Sequence, residues 1–224
     1  MKTSDDDEGD DLVATAEGPV LIVAAFAPEL RGLGRIFARD TSRGTAPTRA
    51  VVGVGLIEAA AGTARLLVQQ KPAALVLVGT AGVYEGRKPA LGQAVVAGAL
   101  HLASASVADE AAYLPPPLPA HSEGSALADE IAAATGLVRA DVACPLGITR
   151  DRKVGKRLQT ATGADVENLE AFAVARAAVQ AGVPFAAVLG VANHVGPEGH
   201  AEWKKHGDRA AATACAAVRK WLTG

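Results

Sequence analysis

The residues able to do chemistry in this chain collect where apolar runs end. Glu29 follows PVLIVAAF, Gly53-Val54-Gly55 follows RAVV, Gly79-Thr80-Ala81-Gly82 closes AALVLV, and Asn193 and His194 close FAAVLGVA. Glycines at such points let backbone N–H groups approach a ligand, and in open α/β sheets ligands bind beyond the carboxyl ends of the strands. Two further carboxylates, Glu167 and Glu170, open the run LEAFAVARAAVQA, whose Leu169, Phe172, Ala173 and Arg176 recur at helical spacing before Gly182 and Pro184 stop it. A glutamate in a first helical turn ordinarily serves the helix dipole, and Glu167 is assigned that dipole or surface part. Glu170, beside apolar Leu169, Phe172 and Ala173, is the stranger of the pair, so Glu170 and Asn193 are expected as neighbours in one cleft.

Other chemistries lack their residues. His101, His121, His194, His200 and His206 have neither HExxH nor paired helical spacing, so no metal site is expected. His194 is kept as a candidate against two plainer roles, packing under the Gly196-Pro197 turn and simple exposure. No GxSxG and no GxxxxGK motif occurs, and GVG lacks the third glycine of the dinucleotide fingerprint, so no cofactor is expected.

The elements that must position these groups alternate along the chain. PVLIVAAF reads as a strand, PELRGLGRIF as a helix opened by Pro28, RAVVGVG as a second strand, IEAAAGTARLLVQQ as a helix, and AALVLVGTAG and LGQAVVAGALHLA as further strands. Ser104 to Ala120, rich in Pro and small residues, reads as a long excursion. SALADEIAAAT then forms a helix, ADVACPLGIT a strand and DRKVGKRLQTAT a short basic helix. The end of the chain is helical, with Ala211, Ala214, Val218 and Trp221 at helical spacing. Alternation of this kind specifies a single α/β domain with a central, mostly parallel mixed sheet flanked by helices.

Composition sets the bounds. At 224 residues, 50% hydrophobic and 21% charged, the chain fits one globular domain, expected over residues 18–224, with residues 1–17 (MKTSDDDEGDD onward) an acidic disordered tail. A net charge of −2 with no basic stripe excludes a nucleic-acid partner. Cys144 and Cys215 lie far apart in no metal spacing and read as buried thiols of a reducing compartment, with neither disulfide nor zinc. No apolar run approaches the roughly eighteen residues of a membrane helix, and the acidic N-terminus is unlike a signal peptide, so the expected location is cytoplasmic.

With these residues in place, the chain resembles the nucleoside phosphorylase and nucleosidase superfamily over nearly its whole length after the tail. VLIVAAFAPEL is similar to the family's opening strand and glutamate, VLVGTAGVYEG to its GSAGG-type turn, and ADVENLEAFAVA to its Met-Glu signature, with Leu169 in the Met place. VANHVGPEGHAEWKKH resembles the SNxVGP…W segment of futalosine hydrolases, where methylthioadenosine and adenosylhomocysteine nucleosidases carry an aspartate instead of Asn193. The resemblance implies a nucleoside ligand, a homo-oligomer, and N-glycosidic cleavage in which Glu29 handles water, Glu170 binds the ribose hydroxyls and Asn193 the base edge. It assigns Thr80, Ala81, Gly82, Leu169 and His194 to the pocket. The family's Arg-Ala-Ile-Ser before this position is here Leu189-Gly190-Val191-Ala192, no GDPGRA-like phosphate loop follows the first strand, and no stacking aromatic stands near Gly147-Ile148-Thr149. Water is therefore expected as nucleophile, with a phosphate-dependent phosphorylase and a non-catalytic nucleoside binder as the alternatives.

Overall fold

The computed structural model describes residues 18–42, 44–116 and 118–224; the acidic stretch 1–17, for which disorder is expected, lies outside them. The strands are β1 (Val20–Ala24), β2 (Thr48–Val51), β3 (Ala74–Val83), β4 (Ala94–Ala103), β5 (His121–Ser122), β6 (Arg139–Pro145), β7 (Val166–Glu167) and β8 (Phe185–His194). The α-helices are α1 (Gly55–Gln70), α2 (Ala105–Ala108), α3 (Ala126–Thr135), α4 (Arg152–Thr162), α5 (Ala171–Gln180) and α6 (Gly199–Thr223). They build one α/β domain on a mixed sheet in the order β2-β1-β3-β7-β6-β4-β5, with β8 pairing both β3 and β4. Parallel pairings join β1 to β2 and β3, β3 to β8, and β4 to β6, whereas β7 on β3, β8 on β4 and β5 on β4 are antiparallel.

β1, β3 and β8 are nearly continuous runs of buried Val, Leu, Ile and Ala, as strands covered on both faces must be. One apolar layer, with Leu21, Leu75, Val95 and Leu189, packs against α1 and α5; the other, with Ile22, Val76 and Val188, packs against α3 and α6. Three boundaries differ from the sequence reading. PELRGLGRIF forms a 3-10 segment over Ala27–Leu33, with Pro28 in its first turn. The excursion after β4 holds the short α2 and delivers β5 to the sheet edge. The helix expected to begin near Glu167 starts at Ala171, because Val166–Glu167 pair with Val83 and Gly82 as β7.

α6 lies directly on β8, and Gly190 is what permits it: a methyl group there would overlap the Ala210 carbonyl of α6. This close approach brings the first turns of α6 over the ends of β3 and β8. Gly190→Ala is expected to destabilise the protein by roughly 3 kcal/mol or more through overpacking against helix backbone, read as a lower denaturant midpoint with an unchanged m-value. A variant within about 0.5 kcal/mol of wild type, the range of an ordinary surface substitution, would show that α6 is free to move away.

Candidate active site

At the carboxyl ends of β1, β3 and β8 lies a cavity of about 380 Å³, lined among others by Phe26, Glu29, Thr80, Gly82, Glu167, Glu170, Asn193 and Trp203. Its polar floor comes from register. Gly82 pairs with Glu167 of β7 on one side and Asn193 of β8 on the other, and directly paired residues project to one face of a sheet. A bulge places Ala192 between the Val191–Ala81 and Asn193–Gly82 pairs; without that extra residue Asn193 would face the opposite side. Thr80, two residues before Gly82, shares the face. Gly82 contributes no side chain, and the space a methyl group would take there is filled by the Asn193 carboxamide and Val195.

Glu29 stands on the 3-10 segment after β1, and 5% of its surface is exposed. Its Oε1 accepts hydrogen bonds from the Thr80 backbone N–H at 3.1 Å and the Thr80 hydroxyl at 3.2 Å. Oε2 is buried and has no partner. Burial, reinforced by the charge of Glu170, pushes the Glu29 carboxyl up to about 7. Glu170 precedes α5: its Oε1 accepts from the Gly55 N–H at 2.8 Å, where α1 begins, and its Oε2 from Asn168 Nδ2 at 3.1 Å. Burial raises Glu170 too, against the lowering effect of those two donors.

Asn168 ties these parts together. Its Oδ1 accepts from the N–H groups of Glu170 and Ala171, capping α5, while Nδ2 donates to the Thr80 carbonyl at 3.0 Å as well as to Glu170. One side chain thus fixes the α5 start, the β3 end and the Glu170 carboxylate. The sequence reading passed over this residue; an Asn shortly ahead of an apolar helical run is the signal that could have found it.

Two expectations need correction. Glu167 is not a surface or dipole residue: it is buried in β7, where Oε2 accepts from the Tyr84 hydroxyl at 3.0 Å and Oε1 from the Thr149 N–H at 3.0 Å. Burial raises its carboxyl. His194 does not line the cleft. Next to Asn193 in a pleated strand it faces the other way, with Nδ1 3.1 Å from Glu202 Oε2, in a separate polar cavity of about 420 Å³. The other candidates, Glu29, Thr80, Ala81, Gly82, Leu169, Glu170 and Asn193, all line the one cleft.

The cleft also holds aromatic groups that the sequence reading did not assign to the site, although Trp203 is the tryptophan of the SNxVGP…W segment. Trp203 of α6 donates its indole N–H to Thr80 Oγ1 at 3.1 Å, stacks on His200 at 6.1 Å between ring centroids and meets Phe26 at 6.2 Å. Ile148 and Val54, exposed at the rim, complete an apolar mouth. Neither Lys nor Arg occurs among the lining residues, and among the described residues no cluster of three or more His, Cys, Asp or Glu is arranged to hold a metal ion.

A family model described as the phosphorylase superfamily matches residues 16–223. A search of curated protein sequences finds no match. Among solved structures, the 5′-methylthioadenosine/S-adenosylhomocysteine nucleosidase of Colwellia psychrerythraea in complex with adenine is similar over 92% of this chain and 94% of its own, at 17% identity and a TM-score of 0.77. The corresponding nucleosidase of Neisseria meningitidis in complex with methylthio-immucillin-A covers 91% and 98%, at 16% identity and 0.78. A futalosine hydrolase mutant of Helicobacter pylori covers 91% and 98%, at 17% identity and 0.78. At these identities the likeness establishes a shared fold.

The raised Glu29 carboxyl has a thermodynamic consequence. Folding favours its protonated form, so the stability linked to it is full below the unfolded value of 4.5 and is lost as pH rises through about 7. Above that pH, holding the charge costs roughly 3 kcal/mol on the scale of 1.36 kcal/mol per pKa unit. Glu29→Gln keeps an acceptor for Thr80 and removes the charge. It is expected to raise the melting temperature at pH 8 by several degrees (about 2–4 °C per kcal/mol) and leave it nearly unchanged at pH 4. Equal shifts at both pH values would contradict a buried charge at this position.

Proposed function

The chain belongs to the phosphorylase superfamily, and on that premise we propose that it hydrolyses the N-glycosidic bond of a purine-type nucleoside, futalosine-like in class, releasing the free base. One observation carries this reading: Glu29 has one oxygen tied to Thr80 and the other unpartnered inside a cleft that contains two more carboxyl groups and no cation among its lining residues. Breaking the bond builds positive charge on the ribose, which buried carboxylates stabilise, whereas a phosphate nucleophile would meet them without a counter-charge.

In this reading Glu29 Oε2 takes a proton from water as the water oxygen bonds to C1′ and the C1′–N bond breaks toward the base. Glu170, held by Gly55 and Asn168, accepts the ribose hydroxyls. The base takes the end of the cleft lined by Asn193, with the Asn193 carboxamide at its edge. A carboxamide has no acid proton to give, and His194 is turned to Glu202, so Glu167 is the group at that end able to supply one. The solved relatives with adenine or nucleoside analogues support a nucleoside as ligand. A homo-oligomer accompanies the reading.

Base release from futalosine, aminodeoxyfutalosine, methylthioadenosine, adenosylhomocysteine and inosine, in phosphate-free buffer, tests the activity. Hydrolysis of at least one is expected, and silence from folded protein across the panel would favour a non-catalytic binder. Glu29→Gln should abolish turnover, a loss of about 10²-fold or more, while ligand still binds; retention of most turnover would remove Glu29 from the chemistry. Glu170→Ala should weaken nucleoside binding by about tenfold or more, the scale of a lost charge-assisted hydrogen bond, and unchanged affinity would remove its ribose role. Glu167→Gln is expected to slow release of an unactivated purine more than of a nitrophenyl leaving group; equal slowing would count against proton donation.

A further inference from the structure

Between Trp203 and Glu29 the hydrogen bonds can run in only one direction. An indole N–H donates and never accepts, so with Trp203 Nε1 3.1 Å from Thr80 Oγ1, the threonine oxygen must be the acceptor of that bond. A hydroxyl has one hydrogen. The Thr80 hydrogen is then directed to Glu29 Oε1, 3.2 Å away, where the Thr80 backbone N–H also arrives at 3.1 Å. A proton placed on Oε1 would oppose two donors. The neutral carboxyl must therefore carry its hydrogen on Oε2, the buried oxygen with no hydrogen-bond partner.

We propose that Trp203 is a positioning residue for Glu29: through the Thr80 hydroxyl it holds Oε1 as a permanent acceptor and reserves Oε2 for the proton exchanged with water. The functional part of this inference rests on Glu29 acting as the base; the hydrogen-bond direction stands without it. The indole is held for this task between His200 and Phe26, and α6 is held by its close approach to β8 at Gly190. The Thr80 and Trp203 donors are neutral groups, and Leu189 nearby is fully buried and apolar.

The other groups facing Glu29 do not offer a substitute. From α5's start comes the Glu170 carboxyl, which raises Glu29; after β1 comes the Ala25 backbone N–H, which lowers it and stays in every variant; from α6 come Cys215, whose thiol donates to the Glu29 carbonyl, and His200 on the cleft wall. Arg219 of α6 donates to the carbonyls of Leu33 and Arg35, and Arg49 of β2 to that of Gly34. β1 presents apolar residues and β3 presents Thr80 itself.

Removing the indole donor should weaken the hold on the ionised form, so the Glu29 pKa rises. The test is carboxyl ¹³C NMR of full-length protein carrying labelled glutamate, with the Glu29 signal assigned by its loss in Glu29→Gln. Trp203→Phe keeps an aromatic wall and is expected to move the Glu29 midpoint up by about half a unit or more, a threefold change in the ionisation constant. The shift should persist in a Thr80→Ser background, which keeps the hydroxyl, and vanish in Thr80→Val, which lacks it. An unmoved midpoint in Trp203→Phe overturns the proposal, as does an equal shift in Thr80→Val. If Thr80→Val does not fold, the Trp203→Phe and Thr80→Ser titrations still decide. The acid limb of kcat/KM should move with the NMR midpoint. A wild-type protein that titrates as expected yet hydrolyses nothing would sink the proposed function and leave the hydrogen-bond relay standing.

Discussion

Three carboxyl groups, Glu29, Glu167 and Glu170, are buried around one cavity whose lining contains no lysine or arginine, and the surrounding structure is arranged to make that tolerable. Desolvation alone would cost several kcal/mol for each ionised group, so every one is met by neutral donors taken from a different element. Thr80 at the end of β3 serves Glu29, Gly55 at the start of α1 and Asn168 serve Glu170, and Tyr84 with the Thr149 N–H serves Glu167. Neutral donors hold the carboxyls in place without fully offsetting burial, and all three are raised. A cleft of this kind suits positive charge, which the transition state of the proposed glycosidic cleavage would bring.

The same constraint explains why so much of the molecule converges on one strand end. β3 pairs with β1, β7 and β8, and its residues Thr80, Ala81 and Gly82 touch the machinery from three sides. Two local devices finish the geometry. The extra residue Ala192 turns Asn193 onto the working face, and Gly190 lets α6 settle low enough for Trp203 to reach Thr80. Leu189 and Ala192, which depart from the family's arginine and serine, take apolar parts in this arrangement, and the donors to Glu29 come from Thr80.

The fold and half of the cleft were legible in the sequence because they follow from strong periodic signals. Apolar runs ending in glycine, threonine or asparagine located Glu29, Thr80, Gly82 and Asn193 without any contact information. Glu167 was misread because β7 is two residues long and has no period of its own, so a helical count starting from Leu169 absorbs it. His194 was misplaced because the bulge at Ala192 changes which of two adjacent polar residues faces inward, and a bulge leaves no mark in hydrophobic patterning. Trp203 sits 123 residues from Thr80 on a helix whose approach depends on a glycine in another element. Such a contact is a property of packing between layers and not of any window along the chain.

If water directed by Glu29 is the nucleophile in a cleft unsuited to phosphate, the sugar leaves as free reducing sugar. Product analysis in phosphate-saturated buffer tests it most directly, with ³¹P NMR for sugar 1-phosphate and a reducing-sugar assay on the same reaction. Free reducing sugar equal in amount to the base released, and no sugar 1-phosphate at any phosphate concentration, is the expected result. Sugar 1-phosphate as the main product, or base release that appears only when phosphate is added, would contradict it.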